Sequence, residues 1–127
     1  MANAQLTGLV NSYLAAYSTQ DAEGCARAFT VDGALISPFG PPARGRAAIA
    51  ATYSDWFTVP EQDKRLDILE FQRQGNMGFC LLAWSARVPD EGRADATRVE
   101  SGLSLCVLDV RGGEMLFSRL ALVPDPA

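Results

Sequence analysis

Residues 31–49 read VDGALISPFGPPARGRAAI, and the fold turns on how this stretch is parsed. Ala34, Leu35 and Ile36 form a short apolar run, the length of a small strand. Pro38, Pro41 and Pro42 follow closely. None of them has the N–H that a ladder needs, so the strand is expected to stop there in a loop. Gly45 then leads into a helix that begins near Arg46. Ahead of the run, Val31-Asp32-Gly33 reads as the close of an earlier helix, with Gly33 able to take positive φ. Nothing after Asp32 in the stretch is acidic, so the strand ends on Ser37 rather than on a carboxylate.

Upstream, Leu6, Leu9, Val10, Tyr13, Leu14 and Tyr17 recur at helical spacing and give a first helix one apolar stripe. Asp21 is the natural N-cap of a second, short helix whose buried face is Ala22, Cys25, Ala26 and Phe29. Downstream, Ile49, Thr52, Tyr53, Trp56 and Phe57 give the third helix a heavy aromatic face, ended at Pro60. The second half reads as four strands: RLDILEFQR, MGFCLLAWSARV, TRVESGLSLCVLDV and EMLFSRLALV. The turn signals QGN, PDEG and RGG separate them, and connections this short make the strands antiparallel. Three helices with one small strand, followed by an antiparallel meander, define an α+β domain with its helices on one face of the sheet. The last two strands are apolar at both parities. Leu103, Leu105 and Val107 share one face; Ser104, Cys106 and Leu108 share the other. A sheet with one wet face alternates more cleanly. A twofold partner covering the second face is the economical explanation, so a homodimer through the sheet is expected.

The 127 residues fit a single domain, 1–127. Lys plus Arg number 11 against 15 Asp plus Glu, a net charge of −4, and no basic cluster stands out, which disfavours nucleic acid. No stretch is long and apolar enough to span a membrane, and the opening MANAQLTGLV does not read as a signal peptide. Cys25, Cys80 and Cys106 are odd in number and lack C-x-x-C spacing. They read as small buried hydrophobes in a reducing cytoplasm rather than as a disulfide framework or zinc site. Histidine is absent. That removes Ser–His and Cys–His nucleophile schemes and the commonest transition-metal ligand. Neither a metal nor another cofactor is expected, and chemistry must come from carboxylates, tyrosine, cysteine, arginine or backbone dipoles.

The run YLAAYSTQDAEGCARAFTVDGALISPFGPPARGRAAI, residues 13–49, resembles the nuclear transport factor 2-like superfamily, in its SnoaL-like and ketosteroid-isomerase-like branch. The shared pattern is a helix, a short Asp-capped helix, F-x-x-D-x-x-hydrophobic, a proline and glycine loop, and G-x-x-A-I. The detailed match covers about the first 57 residues; the second half agrees in strand order and turns. The resemblance implies a cone-shaped barrel, with a curved, mainly antiparallel sheet wrapped around the three helices. It also implies a pocket between them, lined by Tyr13, Tyr17, Ser37, Phe39, Tyr53, Trp56, Phe57 and Trp84, with Ser104 and Cys106 from the late strands. Aromatic helix faces meeting an apolar sheet suit a small apolar organic ligand.

The steroid isomerases of that branch use a tyrosine, an aspartate base and a protonated aspartic acid. By register the tyrosine falls on Tyr13. The base falls on Ser37, and the acid on Ser104 or Leu105, so two of the three groups are missing. Tyr13 is either a donor to a ligand carbonyl or a core aromatic. Glu100 is the acid candidate, since it lies within a strand; Asp32 reads as a turn residue, and Asp109 as solvated. Arg119 interrupts an apolar strand. If buried, it needs a partner: a ligand carboxylate, Glu100, or a group across a dimer interface. Arg87 raises the same question near a strand end, and Arg44 and Arg46 flank the helix entrance. The expected function is a small-molecule pocket, with isomerase, cyclase or dehydratase chemistry as its enzymatic form. The alternative is a non-catalytic interaction or scaffold module. An open cavity above roughly 300 Å³ favours the pocket, and a dry, closed interior the scaffold. A positioned general base contributes about 10²- to 10⁴-fold to rate, and a serine hydroxyl does not replace it near neutral pH. Purified protein is therefore expected to leave a 5-ene steroid unconverted to its 4-ene isomer; conversion above the buffer rate, followed by ultraviolet absorbance, would contradict this.

Overall fold

A computed structural model describes residues 3–93 and 95–126. The chain order is α1 (Ala4–Ser18), α2 (Ala22–Arg27), β1 (Phe29–Ser37), β2 (Gly40–Arg44), α3 (Arg46–Trp56), β3 (Gln62–Gln74), β4 (Met77–Pro89), β5 (Thr97–Arg111) and β6 (Glu114–Pro124). The six strands form one sheet in the order β2-β1-β6-β5-β4-β3. All pairs are antiparallel except β1 with β6. The expected α+β architecture, a curved and mainly antiparallel sheet packed on three helices, is what the chain adopts.

The expected apolar stripe of α1 is buried at Leu6, Leu9, Val10, Tyr13 and Tyr17. Asp21 caps α2 by accepting from the Gly24 N–H at 3.0 Å, the usual way a helix start satisfies a spare donor. Ile49 and Tyr53 of α3 are fully buried. These side chains meet Phe29 and Phe117 in an aromatic cluster, with Tyr13 5.7 Å from Phe117 and Phe29 5.6 Å from Phe117 between ring centres.

Three local expectations need correction around the opening stretch. First, α2 ends at Arg27, and Phe29 starts β1 instead of closing the helix face. The Phe117 N–H donates to the Ala28 carbonyl at 2.9 Å, so pairing with β6 begins as soon as the helix stops. Second, Val31, Asp32 and Gly33 lie inside β1, where the register with β6 slips between Phe29 and Ala34. Gly33 does not take positive φ; Gly45 does, at 84°, as the N-cap of α3. Third, Pro41 and Pro42 sit in β2, a strand and not a loop. An edge strand bonds on one side only. The paired residues, Leu35 with Ala43, Ala34 with Arg44 and Ser37 with Gly40, leave both prolines unmatched.

The sheet's two faces differ sharply. Gly102, Ser104, Cys106 and Leu108 of β5 are buried against the helices, while Leu105 and Val107 are exposed on the outer face. Slips in register along β3 with β4 and β5 with β6 bend the sheet around the helices. Gln5, near the start of α1, donates to the Gly113 carbonyl in the β5–β6 turn at 2.9 Å and accepts from Arg73 at 2.5 Å. The first helix is thus tied to the hairpin end of the sheet. Its C-terminal end stops short of the opposite end, where Ala86, Val88, Glu100 and Leu122 stand. Among the described residues, no helix is long and apolar enough to cross a membrane.

Candidate functional site

Beyond the C-terminal end of α1 lies a cavity of about 230 Å³ between α1, α3 and the inner sheet face. Tyr13 and Tyr17 reach it from α1, Trp56 from α3, and Phe39 from the β1–β2 turn. Leu66, Leu82, Trp84, Ala86, Leu120 and Leu122 make an apolar floor. Trp84 donates its indole N–H to the Leu103 carbonyl at 3.2 Å. Gly102, its partner across the ladder, makes room for it: a Cβ there would sit 2.7 Å from the indole Cζ2 and 2.5 Å from the Val123 carbonyl oxygen.

One corner of this apolar space is charged. Asp63 takes φ 55° at a bulge where β3 gains a residue on β4, between the Gln62–Arg87 and Arg65–Ser85 pairs. Bulges re-aim the neighbouring side chain, and here Lys64 turns inward, with 10% of its side chain exposed. Its Nζ lies 4.2 Å from the Tyr17 ring centre and 4.7 Å from that of Trp84, within cation–π range of both. Glu61 Oε1 is 3.9 Å from the same nitrogen. The Tyr17 hydroxyl donates to both Glu61 carboxylate oxygens, at 3.2 and 3.1 Å. Burial holds the Lys64 ammonium below its ordinary pKa; the nearby charges of Glu61 and Glu100 oppose this without cancelling it. Burial and Glu61 together raise the Tyr17 phenol, so Tyr17 is a proton donor and not a base. Deeper in, the Tyr13 and Tyr53 hydroxyls share a 2.7 Å hydrogen bond, and burial keeps both phenols protonated.

The structure gathers Tyr13, Tyr17, Phe39, Trp56, Trp84, Glu100 and Ser104 around this cavity. Glu100 stands at its mouth, half exposed and 3.8 Å from Arg98. Tyr53 stands behind Tyr13 in the core. Phe57 packs edge-on against Tyr17 with ring centres 5.0 Å apart, beside a smaller hollow next to Glu61 and Lys64. Cys106 is buried opposite Cys80 in the core, away from the cavity wall. Ser37 turns into the β1–β2 connection, where its Oγ accepts the Phe39 N–H at 3.2 Å. Arg119 requires a correction. It is exposed on the outer face opposite Val107, with its guanidinium on the Ser118 carbonyl at 2.6 Å. The slip between Val107 and Leu108 leaves Ser118 as the extra residue, and strand parity then carries Arg119 away from the cavity and from Glu100. Asp32 is exposed and paired with Arg111 at 3.1 Å. Arg46 is structural: its guanidinium donates twice to the Phe29 carbonyl, at 3.0 and 2.8 Å. Arg87 pairs with Asp63 at 3.6 Å on the surface.

Sequence reading missed Glu61, in the connection after Pro60, and Lys64, at the bulge near the start of β3. One signal was available: Lys64 is the sole lysine of the chain, every other basic residue being arginine. Among the described residues, no group of three His, Cys, Asp or Glu could hold a metal ion.

A family model for the SnoaL-like domain matches residues 10–114, and the chain belongs to that family. Solved structures share its fold. A ketosteroid isomerase-like protein from Erwinia carotovora atroseptica SCRI1043 superposes with a TM-score of 0.82 at 20% identity, covering 95% of this chain and 94% of that one. ActVI-ORFA from Streptomyces coelicolor gives 0.77 at 21% identity, over 98% and 97%. A nuclear transport factor 2-like superfamily protein from Salmonella enterica serovar Typhimurium gives 0.76 at 17%, over 96% and 89%. At these identities the likeness is one of fold. A search of curated proteins finds no match to the sequence.

The Gly102–Trp84 contact yields a direct test. Gly102→Ala should displace the indole, cost roughly 1–3 kcal/mol of stability as other overpacked sites do, and shift tryptophan emission. Unchanged emission and an unchanged denaturation midpoint would show that the wall does not depend on this glycine.

Proposed function

We propose that this SnoaL-like chain binds a compact, apolar, carbonyl-containing molecule in the cavity beyond α1, and that its chemistry there is acid–base chemistry without a resident cofactor. The observation that carries this reading is the contrast inside the cavity: apolar and aromatic walls with one polar corner, Tyr17–Glu61–Lys64. A few placed polar groups in an apolar hollow orient a ligand and set its specificity. At about 230 Å³ the space is below the expected threshold and the roughly 300–1,000 Å³ of pockets for drug-sized ligands. A molecule smaller than a steroid suits it. Tyr17 and Lys64 can donate to a carbonyl or enolate oxygen, and Glu61 and Glu100 can accept a proton. These are the requirements of an isomerase, cyclase or dehydratase.

The test is a thermal-shift series with benzaldehyde-sized carbonyl compounds, short carboxylic acids and steroids. A ligand at a hundred times its dissociation constant adds about 2.7 kcal/mol of stability. Compact carbonyl compounds should protect the protein and lose that effect in Trp84→Ala; steroids should not protect. Silence from every compound would favour the interaction-module reading instead.

We also propose that the outer sheet face mates with a second copy of the chain. Met77, Val99, Leu105, Val107 and Val123 expose between 36% and 59% of their surface on β4, β5 and β6. Apolar area gathered in this way marks an interaction surface. Light scattering should give twice the 13.6 kDa chain mass, and Leu105→Lys should return a species of 13.6 kDa. A wild-type mass of 13.6 kDa at micromolar concentration would overturn the dimer.

A further inference from the structure

We propose that Lys64 is the nucleophile of an amine-catalysis site, its Nζ condensing with an apolar aldehyde or ketone in the cavity to form a protein-bound imine. The proposal rests on the preceding reading that the cavity takes a carbonyl compound, and it names what that site does to it.

The choice of residue is the first argument. Wherever else this chain carries a basic side chain it uses arginine. A guanidinium supplies charge but does not lose its proton in a protein, whereas an amine does so readily when buried. The single side-chain amine stands in an apolar hollow, where a neutral nitrogen is useful. The second argument is placement. The bulge at Asp63, with its positive φ, turns Lys64 inward, and its Nζ lies over the Tyr17 and Trp84 rings at the cavity wall. Left-handed backbone at a residue other than glycine is uncommon and is found at functional sites. The third argument is the set of groups facing the nitrogen: Glu61 from just before β3, Glu100 from β5, Tyr17 from α1 and Cys25 from α2. Desolvation outweighs the charges among them, so the amine is released at a lower pH than a solvent lysine's.

Glu61, 3.9 Å away and bonded to the Tyr17 hydroxyl, supplies the proton transfers. It takes a proton from the ammonium, and the freed nitrogen pair attacks the carbonyl carbon. The C–N bond forms, the C=O π pair moves to oxygen, and Glu61 returns the proton there to give a carbinolamine. Glu61 then carries a second proton from nitrogen to the hydroxyl. The C–O bond breaks, water leaves, and the nitrogen pair closes the C=N bond. Ammonium and carbonyl have become iminium and water, with charge and atoms conserved. No oxidant, reductant or metal is required.

The test uses the full chain with benzaldehyde and sodium cyanoborohydride, which reduces imines as they form, read by intact mass and peptide mapping. Thermal protection by benzaldehyde and by benzyl alcohol is measured in parallel. The expected result is one benzyl adduct per chain on Lys64, absent in Lys64→Arg and formed at least about tenfold more slowly in Glu61→Gln, given the usual contribution of a positioned acid–base group. Guanidinium-unfolded chain should lose the preference for Lys64 over the α-amino group, a control that stands even if Lys64→Arg does not fold. Benzaldehyde that protects the protein yet labels only the α-amino group would overturn the imine while leaving the binding site intact. Neither protection nor label would overturn both.

Discussion

The structure depends on a mismatch of lengths. A 15-residue helix is about 23 Å long, at 1.5 Å per residue. A 15-residue strand such as β5 is about 50 Å long. The inner face of the sheet therefore cannot be covered end to end by α1. The chain resolves this by tying α1 to the hairpin end through Gln5 and filling the space beside it with Tyr13, Phe29, Tyr53 and Phe117. At the far end, strand residues run past the helix and the walls close around a cavity. The bulges that curve the sheet bring those walls within reach of each other.

That arrangement explains why a charged group stands in an apolar space. The segment crossing from α3 to β3 must pass the open end of the cone, and its side chains cap the hollow. Lys64, at the start of β3, does so with its Nζ over two rings and with Glu61 within Coulombic reach. A buried ammonium without such partners would be prohibitively costly; with them its charge is tolerated, while burial itself loosens its proton. Tyr17 joins the aromatic packing to the polar corner, since its ring lies under the Lys64 Nζ and its hydroxyl donates to Glu61.

The fold was legible in the sequence because it rests on local signals. Helical spacing of Leu6 through Tyr17, the cap at Asp21 and the turns QGN and RGG each answer to the physics of a few neighbouring residues. The boundaries that failed to emerge are those set by distant partners. The extent of β1 follows from β6, more than eighty residues along the chain, and Pro41 and Pro42 join a strand because an edge asks for hydrogen bonds on one side only. The aromatic walls were legible in the same way as the helices, since Tyr13, Tyr17 and Trp56 lie on stripes that must face inward.

By itself, the sequence determined the α+β order, the apolar helix faces, the lack of histidine and the serines at Ser37 and Ser104. Those follow from composition and period, which need no knowledge of who meets whom. Only the tertiary structure decided which side of the sheet each strand residue faces, because a single bulge inverts the parity of everything beyond it. One slip sends Arg119 to the outer surface, and another turns Lys64 into the cavity. Lys64 reaches the polar corner through the second of those shifts and Arg119 is kept out of it by the first, and register is a property of paired strands.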